Sequence, residues 1–171
     1  MDRQAKHIGR PREWQRPAFV AESTLGKLAK WLRLAGFDTL YDTPPPDWRR
    51  LRARAKADNR VVLSRTHQVI GRLNGEQGLL IQYDAPIDQI RQVISYFHIG
   101  PGDLEPLSRC ARCNCRLQPA DEAHLQNAVP DFIRQHHVRF RMCAQCHRVY
   151  WRGTHSSRMA SLFEHWFEVG V

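Results

Sequence analysis

The chain has 171 residues, 42% hydrophobic and 9% aromatic, enough for one ordinary domain or two small ones and too little for a large multidomain enzyme. Collagen-like, low-complexity and wholly disordered classes are excluded, and no run approaches the roughly 18 apolar residues of a membrane span. Its 26 Lys plus Arg stand against 17 Asp plus Glu, a net charge of +9, which is the balance of a partner for a polyanion.

The charge is unevenly spread. Residues 1–18 carry five basic and two acidic side chains, residues 19–108 twelve and ten, and residues 109–171 nine and five. Every cation of the last stretch is Arg, the side chain that forks onto phosphates and stacks on bases. That favours nucleic acid over a membrane surface. The opening residues have no apolar core of the kind a signal peptide needs, so a cytoplasmic location is expected.

Residues 1–17, polar and bounded by Pro11 and Pro17, read as a flexible basic arm. From Ala18 to Ala21 an apolar run predicts a strand. A helix follows over Leu25–Ala35, with Leu25, Leu28, Ala29, Leu32 and Ala35 on one face, Ser23 or Thr24 as its cap and Gly36 as its stop. Lys27, Lys30 and Arg33 fall elsewhere on it at three-residue spacing. Thr39–Tyr41 is a second strand. Beyond the three prolines at 44–46, Asp47 is an N-cap for a strongly basic helix over Trp48–Asp58. Arg60–Ser64 and Gly78–Tyr83 are near-continuous apolar runs, as in a buried parallel sheet, and a helix over Pro86–Phe97 follows the second. The whole predicts a small α/β domain over 18–100, with Gly100, Pro101 and Gly102 marking its end.

All five cysteines lie past that break. Cys110 and Cys113, then Cys143 and Cys146, form two C-x2-C pairs separated by 29 residues. Each pair can put two thiolates on one cation, and two such knuckles complete a closed tetrahedral zinc site, structural rather than catalytic. Disulfides are the rival reading; they belong to exported chains, so zinc is expected. Cys115 could replace Cys113, but C-x2-C is the commoner spacing, which leaves Cys115 as a free thiol or a neighbour of the site. His147 and His155 are then not needed as ligands. Between the knuckles, 119–140 is partly helical with a loop at Val129-Pro130. The tract Arg148–His155 mixes Tyr150 and Trp151 with Arg148, Arg152 and His155: rings stack on bases while Arg neutralises phosphates, or one ring serves the small core of a zinc domain.

Three segments together, FVAESTLGKLAKWLRLAGFDTLYD (19–42), RVVLSRT (60–66) and SRCARC through CHRVYWRGTH (108–155), resemble the Mut-7 C-terminal RNase family, a PIN-like nuclease domain followed by a zinc ribbon. The resemblance implies a PIN-like parallel sheet over 18–100, a four-cysteine zinc-ribbon domain over 101–171, and carboxylates at the C-terminal sheet edge that hold Mg²⁺ or Mn²⁺ for phosphodiester hydrolysis. Glu22 stands where the family carries an Asp after the first strand. Asp47 matches an acid at the start of the second helix, Asp38 matches in the Gly-Phe-Asp turn, and Thr66 replaces the Asp that closes an LTRD-like motif. Asp42 or Asp84 stand near strand ends as possible substitutes.

Two functions are therefore expected. One is a metal-dependent ribonuclease with Glu22, Asp38 and Asp47 as its catalytic acids. The other is a catalytically impaired RNA-binding factor, associated with tRNA or the ribosome, that grips RNA through Lys27, Lys30, Arg33, Arg65, Arg148, Trp151, Arg152 and His155. A zinc-ribbon adaptor to another protein is a third reading, which leaves the charge unexplained.

Overall fold

The structure is a computed structural model that describes residues 16–45, 47–136 and 139–151. Most of the basic arm, with Arg152 and His155, therefore lies outside the described residues.

Four short apolar strands, β1 (Phe19–Ala21), β2 (Thr39–Tyr41), β3 (Val61–Ser64) and β4 (Gly78–Leu80), form a parallel sheet in the order β2-β1-β3-β4. This is the α/β class read from the sequence. Successive side chains of a strand point to opposite faces, and the core divides accordingly. Phe19, Ala21, Val61 and Leu63 join one buried cluster, while Val20 and Val62 join another.

Helix α1 (Gly26–Leu34) and helix α4 (Pro86–Tyr96) cover the first face through Leu28, Ala29, Leu32, Ile90, Val93 and Ile94. Helices α2 (Trp48–Asp58) and α3 (His67–Gly71) cover the second, where α2 contributes only Leu51 and Ala55 to the fully buried core. Chain direction explains the division. The connection from β1 moves to one side of the sheet and those from β2 and β3 to the other, so right-handed crossovers place α1 and α2 on opposite faces.

The ends of the helices follow local chemistry. Asp47 caps α2, its carboxylate accepting from the Arg49 amide at 2.9 Å. Helix α1 has no side-chain cap, because the Thr24 hydroxyl expected there donates instead to Glu22 Oε1 at 2.6 Å. Gly36 stops α1 with φ of +97°, and a Cβ there would come within 2.5 Å of the Glu105 carbonyl oxygen. Helix α3 is not anticipated by the sequence. It is a single turn of five residues, too short to show a period.

A 3₁₀ turn at Pro101–Asp103 leads to the cysteine module. There β5 (Gln118–Pro119), β6 (Phe140–Met142) and β7 (Val149–Trp151) form an antiparallel sheet, with α5 (Glu122–Ala128) and α6 (Asp131–His136) inserted between β5 and β6. Among the described residues no helix is long and apolar enough to cross a membrane.

Candidate functional site

In an open α/β sheet, ligands gather at the C-terminal strand ends where neighbouring connections diverge to opposite faces. Here that point lies between β1 and β3. Glu22 follows β1 directly, and the segment Arg65-Thr66 follows β3.

The Glu22 carboxylate is 1% exposed and is surrounded by donors. Oε1 accepts from the Thr24 hydroxyl at 2.6 Å and the Arg65 amide at 3.0 Å; Oε2 accepts from the Ser64 hydroxyl at 2.5 Å and the Thr66 hydroxyl at 3.4 Å. A carboxylate offers about four lone-pair positions, and four donors face them. Three come from one stretch, Ser64 to Thr66, where Thr66 presents a hydroxyl to Oε2. Ser64 also accepts from the Thr66 amide at 3.0 Å, which closes the segment into a tight turn.

The other acids of this edge are committed as well. Asp42, fully buried, receives a bidentate fork from Arg50, Nε to Oδ1 at 2.6 Å and Nη2 to Oδ2 at 2.8 Å, with Arg54 at 3.4 Å. Asp47 lies on the same edge as Glu22 but caps α2. Asp84, exposed, pairs with Arg65. Magnesium and manganese require several oxygen ligands at once, and these groups do not fit them. Among the described residues, the metal-competent group of three or more ligands is the cysteine cluster.

Asp38 is not brought to this site. It precedes β2 and lies at the N-terminal edge, four residues back along the strand direction from the level of Glu22, roughly 13 Å. Its carboxylate accepts from Arg60 at 2.6 Å and the Asn114 amide group at 2.8 Å, and pairs with Arg109 at 3.2 Å. Burial works against its charge, but the hydrogen bonds from Arg60 and Asn114 and the nearby cations outweigh this and hold it below the ordinary carboxylate value.

Asn114 and Arg109 belong to the cysteine module, which docks on this N-terminal edge. The Thr39 amide donates to Asn114 Oδ1 at 3.0 Å. Arg33, buried at 8% exposure, donates to the carbonyls of Thr39, Ala111 and Arg112 at 2.8, 3.1 and 2.8 Å. The expectation that Arg33 faces RNA beside Lys27 and Lys30 is thereby corrected. Each helical residue advances by about 100°, so a three-residue spacing drifts around the helix. Lys27 and Lys30 remain exposed, and the third cation is carried inward against the first knuckle.

The two knuckles share one geometry. The Cys113 amide donates to Cys110 Sγ at 3.3 Å and the Cys146 amide to Cys143 Sγ at 3.4 Å. Four residues past each first cysteine the chain turns left-handed, at Asn114 (φ 66°) and His147 (φ 56°), whose amides bond back to Cys110 and Cys143 oxygens at 2.9 and 2.8 Å. The ligand sulfurs of Cys110, Cys113, Cys143 and Cys146 all lie within 4.8 Å of one another, with Cys110 to Cys146 at 3.7 Å. A tetrahedron with Zn–S bonds of about 2.3 Å has edges of roughly 3.8 Å, so the donor set fits zinc.

Cys115 stands beside this set, its sulfur 3.2 Å from Cys143. Burial pushes the Cys113 thiol up to about 12 and Cys115 up to about 11. Cys143 is also pressed upward by burial, yet donors from Cys115 and the Cys146 amide bring it down to about 6. A bound cation would draw the remaining ligands into the thiolate form.

Tyr150 resolves one of the open alternatives. Its hydroxyl accepts from the Ala111 amide at 3.1 Å and faces Cys110 Sγ at 3.2 Å, inside the small core with Leu117. Trp151 is half-buried, its ring 6.1 Å from that of Phe140. Arg148 is exposed, and Arg65 is an exposed edge cation paired with Asp84.

A family model described as Mut7-C RNAse domain matches residues 17–163. The chain belongs to that family. The match takes in both the parallel sheet and the cysteine module, and membership implies a nuclease or RNA-related role for this Mut7-C chain. No curated protein and no solved structure matches it. What sequence reasoning misses at the Mut7-C sheet edge is the use of Ser64 and Arg65 as donors to Glu22; the substitution at Thr66 is the signal that points to them.

Proposed function

We propose that this chain is an RNA-binding member of the Mut7-C RNAse domain family that holds RNA without cutting it, with structural zinc on Cys110, Cys113, Cys143 and Cys146. The observation that carries this reading is the saturated carboxylate of Glu22. A group that already accepts four hydrogen bonds in a buried crevice is a structural anchor, and freeing it for a metal would leave those donors unpaired. The net charge of +9 and the exposed cations Lys27, Lys30 and Arg148 support the binding half.

A ribonuclease reading, with Glu22 and Asp47 at the metal, draws its support from the family match alone. The two readings separate in one experiment: full-length zinc-loaded protein incubated with single-stranded and structured RNA in Mg²⁺ or Mn²⁺, beside Glu22→Gln. Salt-sensitive binding with intact RNA is expected. Cleavage by the wild-type protein that is lost in Glu22→Gln would overturn the proposal. Competition with tRNA and ribosomal RNA then identifies the preferred class.

A further inference from the structure

The cations of α2 are not equivalent. Arg50 and Arg54, one turn apart, both turn onto the buried Asp42, and Arg52 donates to Glu76 at 2.9 Å. All three are ion-paired within the fold, Arg50 and Arg54 sharing one carboxylate. Arg49, on the same helix face as Arg52 and Lys56 at i, i+3 and i+7, is exposed and has no carboxylate in ion-pairing range among the described residues.

Arg49 is nonetheless held. Its guanidinium carbon sits 4.9 Å from the centre of the Trp48 ring, and that of Arg72, just past α3, sits 5.3 Å from the same ring. Arg72 is likewise exposed and without a carboxylate partner among the described residues. Trp48 itself packs against the buried cluster of Val20, Leu51 and Val62, so the indole is fixed by the core.

Two guanidinium groups are thus positioned on one indole and left unneutralised. Stacking on an aromatic face limits the motion of Arg while leaving its N–H fork free for a second partner. The usual way to position an exposed arginine is a carboxylate, which also consumes its charge. An aromatic ring positions it and keeps the charge available.

We propose that Arg49 and Arg72, held on Trp48, form a clamp for the phosphodiester backbone of RNA on the α2/α3 face. This rests on the RNA-binding reading above and assigns it a surface separate from the cysteine module. Lys56 extends the surface by about two turns of α2, on the order of 10 Å. The contact is to backbone, so it carries affinity and register rather than sequence choice.

The test is fluorescence anisotropy of the full-length zinc-loaded protein with a labelled single-stranded RNA over a range of KCl. Relative to wild type, Arg49→Gln/Arg72→Gln is expected to weaken binding on the order of tenfold at low salt. The slope of log K against log salt should fall by about 1.4, two phosphate contacts at about 0.7 each for a single strand. Arg49→Lys/Arg72→Lys, which keeps the charges and loses the stacking, should fall between. Arg91→Gln/Arg116→Gln removes two charges that are ion-paired to Asp88 and Glu105, and should change the slope by much less. Wild-type affinity and slope in Arg49→Gln/Arg72→Gln, or an equal loss in the Arg91/Arg116 variant, would overturn the clamp while leaving RNA binding intact. Failure of the wild-type protein to bind RNA, or its capture instead by an acidic polypeptide, would overturn the RNA-binding reading itself.

Discussion

The two edges of the parallel sheet each hold a carboxylate that is not free, and they satisfy it by different means. At the C-terminal edge Glu22 is met by hydroxyls and a peptide amide from two neighbouring loops, all without charge. At the N-terminal edge Asp38 is met by Arg60, Arg109 and Asn114, two cations and an amide, the last two contributed by the cysteine module. The first arrangement closes a crevice that the fold offers to ligands. The second joins two parts of the chain. Similar side chains therefore report opposite things: local closure in one place, long-range assembly in the other.

The largest expected effect falls on the assembled edge. Cys143→Ser, or stripping with a strong chelator, should reduce metal content well below one zinc per chain and unfold the module, since structural zinc is worth on the order of 10 kcal/mol in small domains. Hydrogen exchange would sharpen the comparison. The Thr39 amide, bonded to Asn114, should lose protection, while the Ile81 amide, bonded to Ser64 at the other edge, should keep it.

Asp38→Ala comes next. It leaves Arg109, 15% exposed, without a carboxylate partner among the described residues and Arg60, 10% exposed, with Asp58 alone at 3.0 Å, and should cost about 2 kcal/mol by urea unfolding, below the 3–5 of a fully buried pair because Asp38 is partly solvated and Arg60 keeps one partner. Glu22→Gln should cost about 1–2 kcal/mol, because one amide group turns a donor toward donors. Thr66→Asp sets a second carboxylate near Glu22 and should destabilise by about 1 kcal/mol. That loss should be recovered in millimolar Mn²⁺ as a rise in melting temperature that the wild type does not show.

The smallest effect is acid sensitivity. The folded pKa of Asp38 lies below its unfolded value, near 3.9, so its contribution is present above about pH 4 and is lost as pH falls through the lower folded value. Asp38→Asn should flatten that limb of the stability–pH curve and lower the neutral plateau by the amount the wild type loses in acid.

The sequence makes the frame legible to different depths. Apolar runs flanked by turn residues give β1 to β3 nearly to the residue, and Asp47 announces the start of α2 because a cap is a local interaction. The four zinc ligands are legible because their spacing is itself the geometry. Asp38 and Arg33 are not. Their partners in the cysteine module lie 71 to 79 residues away, as in the 76-residue separation of Asp38 from Asn114 and the 79 of Arg33 from Arg112, and no local pattern encodes such a pairing. Asp38 reads as a family acid and Arg33 as a surface cation until the module is in place. The predicted strand over Gly78–Tyr83 ends at Leu80 because Gln92 takes over the edge, accepting from the Gln82 amide at 3.0 Å and donating to the Leu80 carbonyl at 2.8 Å. That substitution of a side chain for a neighbouring strand is also invisible in the pattern.

The matched knuckles carry a final consequence. Asn114 and His147 occupy equivalent corners, yet Asn114 reaches the sheet while the exposed His147 stacks at 5.8 Å on the half-buried His124. Lengthening the turn after Cys113 by one residue would preserve both cysteine pairs and still rotate Asn114 off Thr39 and Asp38, whereas the same insertion after Cys146 would disturb the His147–Cys143 turn bond and a surface ring but none of these contacts to the parallel sheet. Tolerance to insertion should therefore be lopsided across a centre whose two halves look alike.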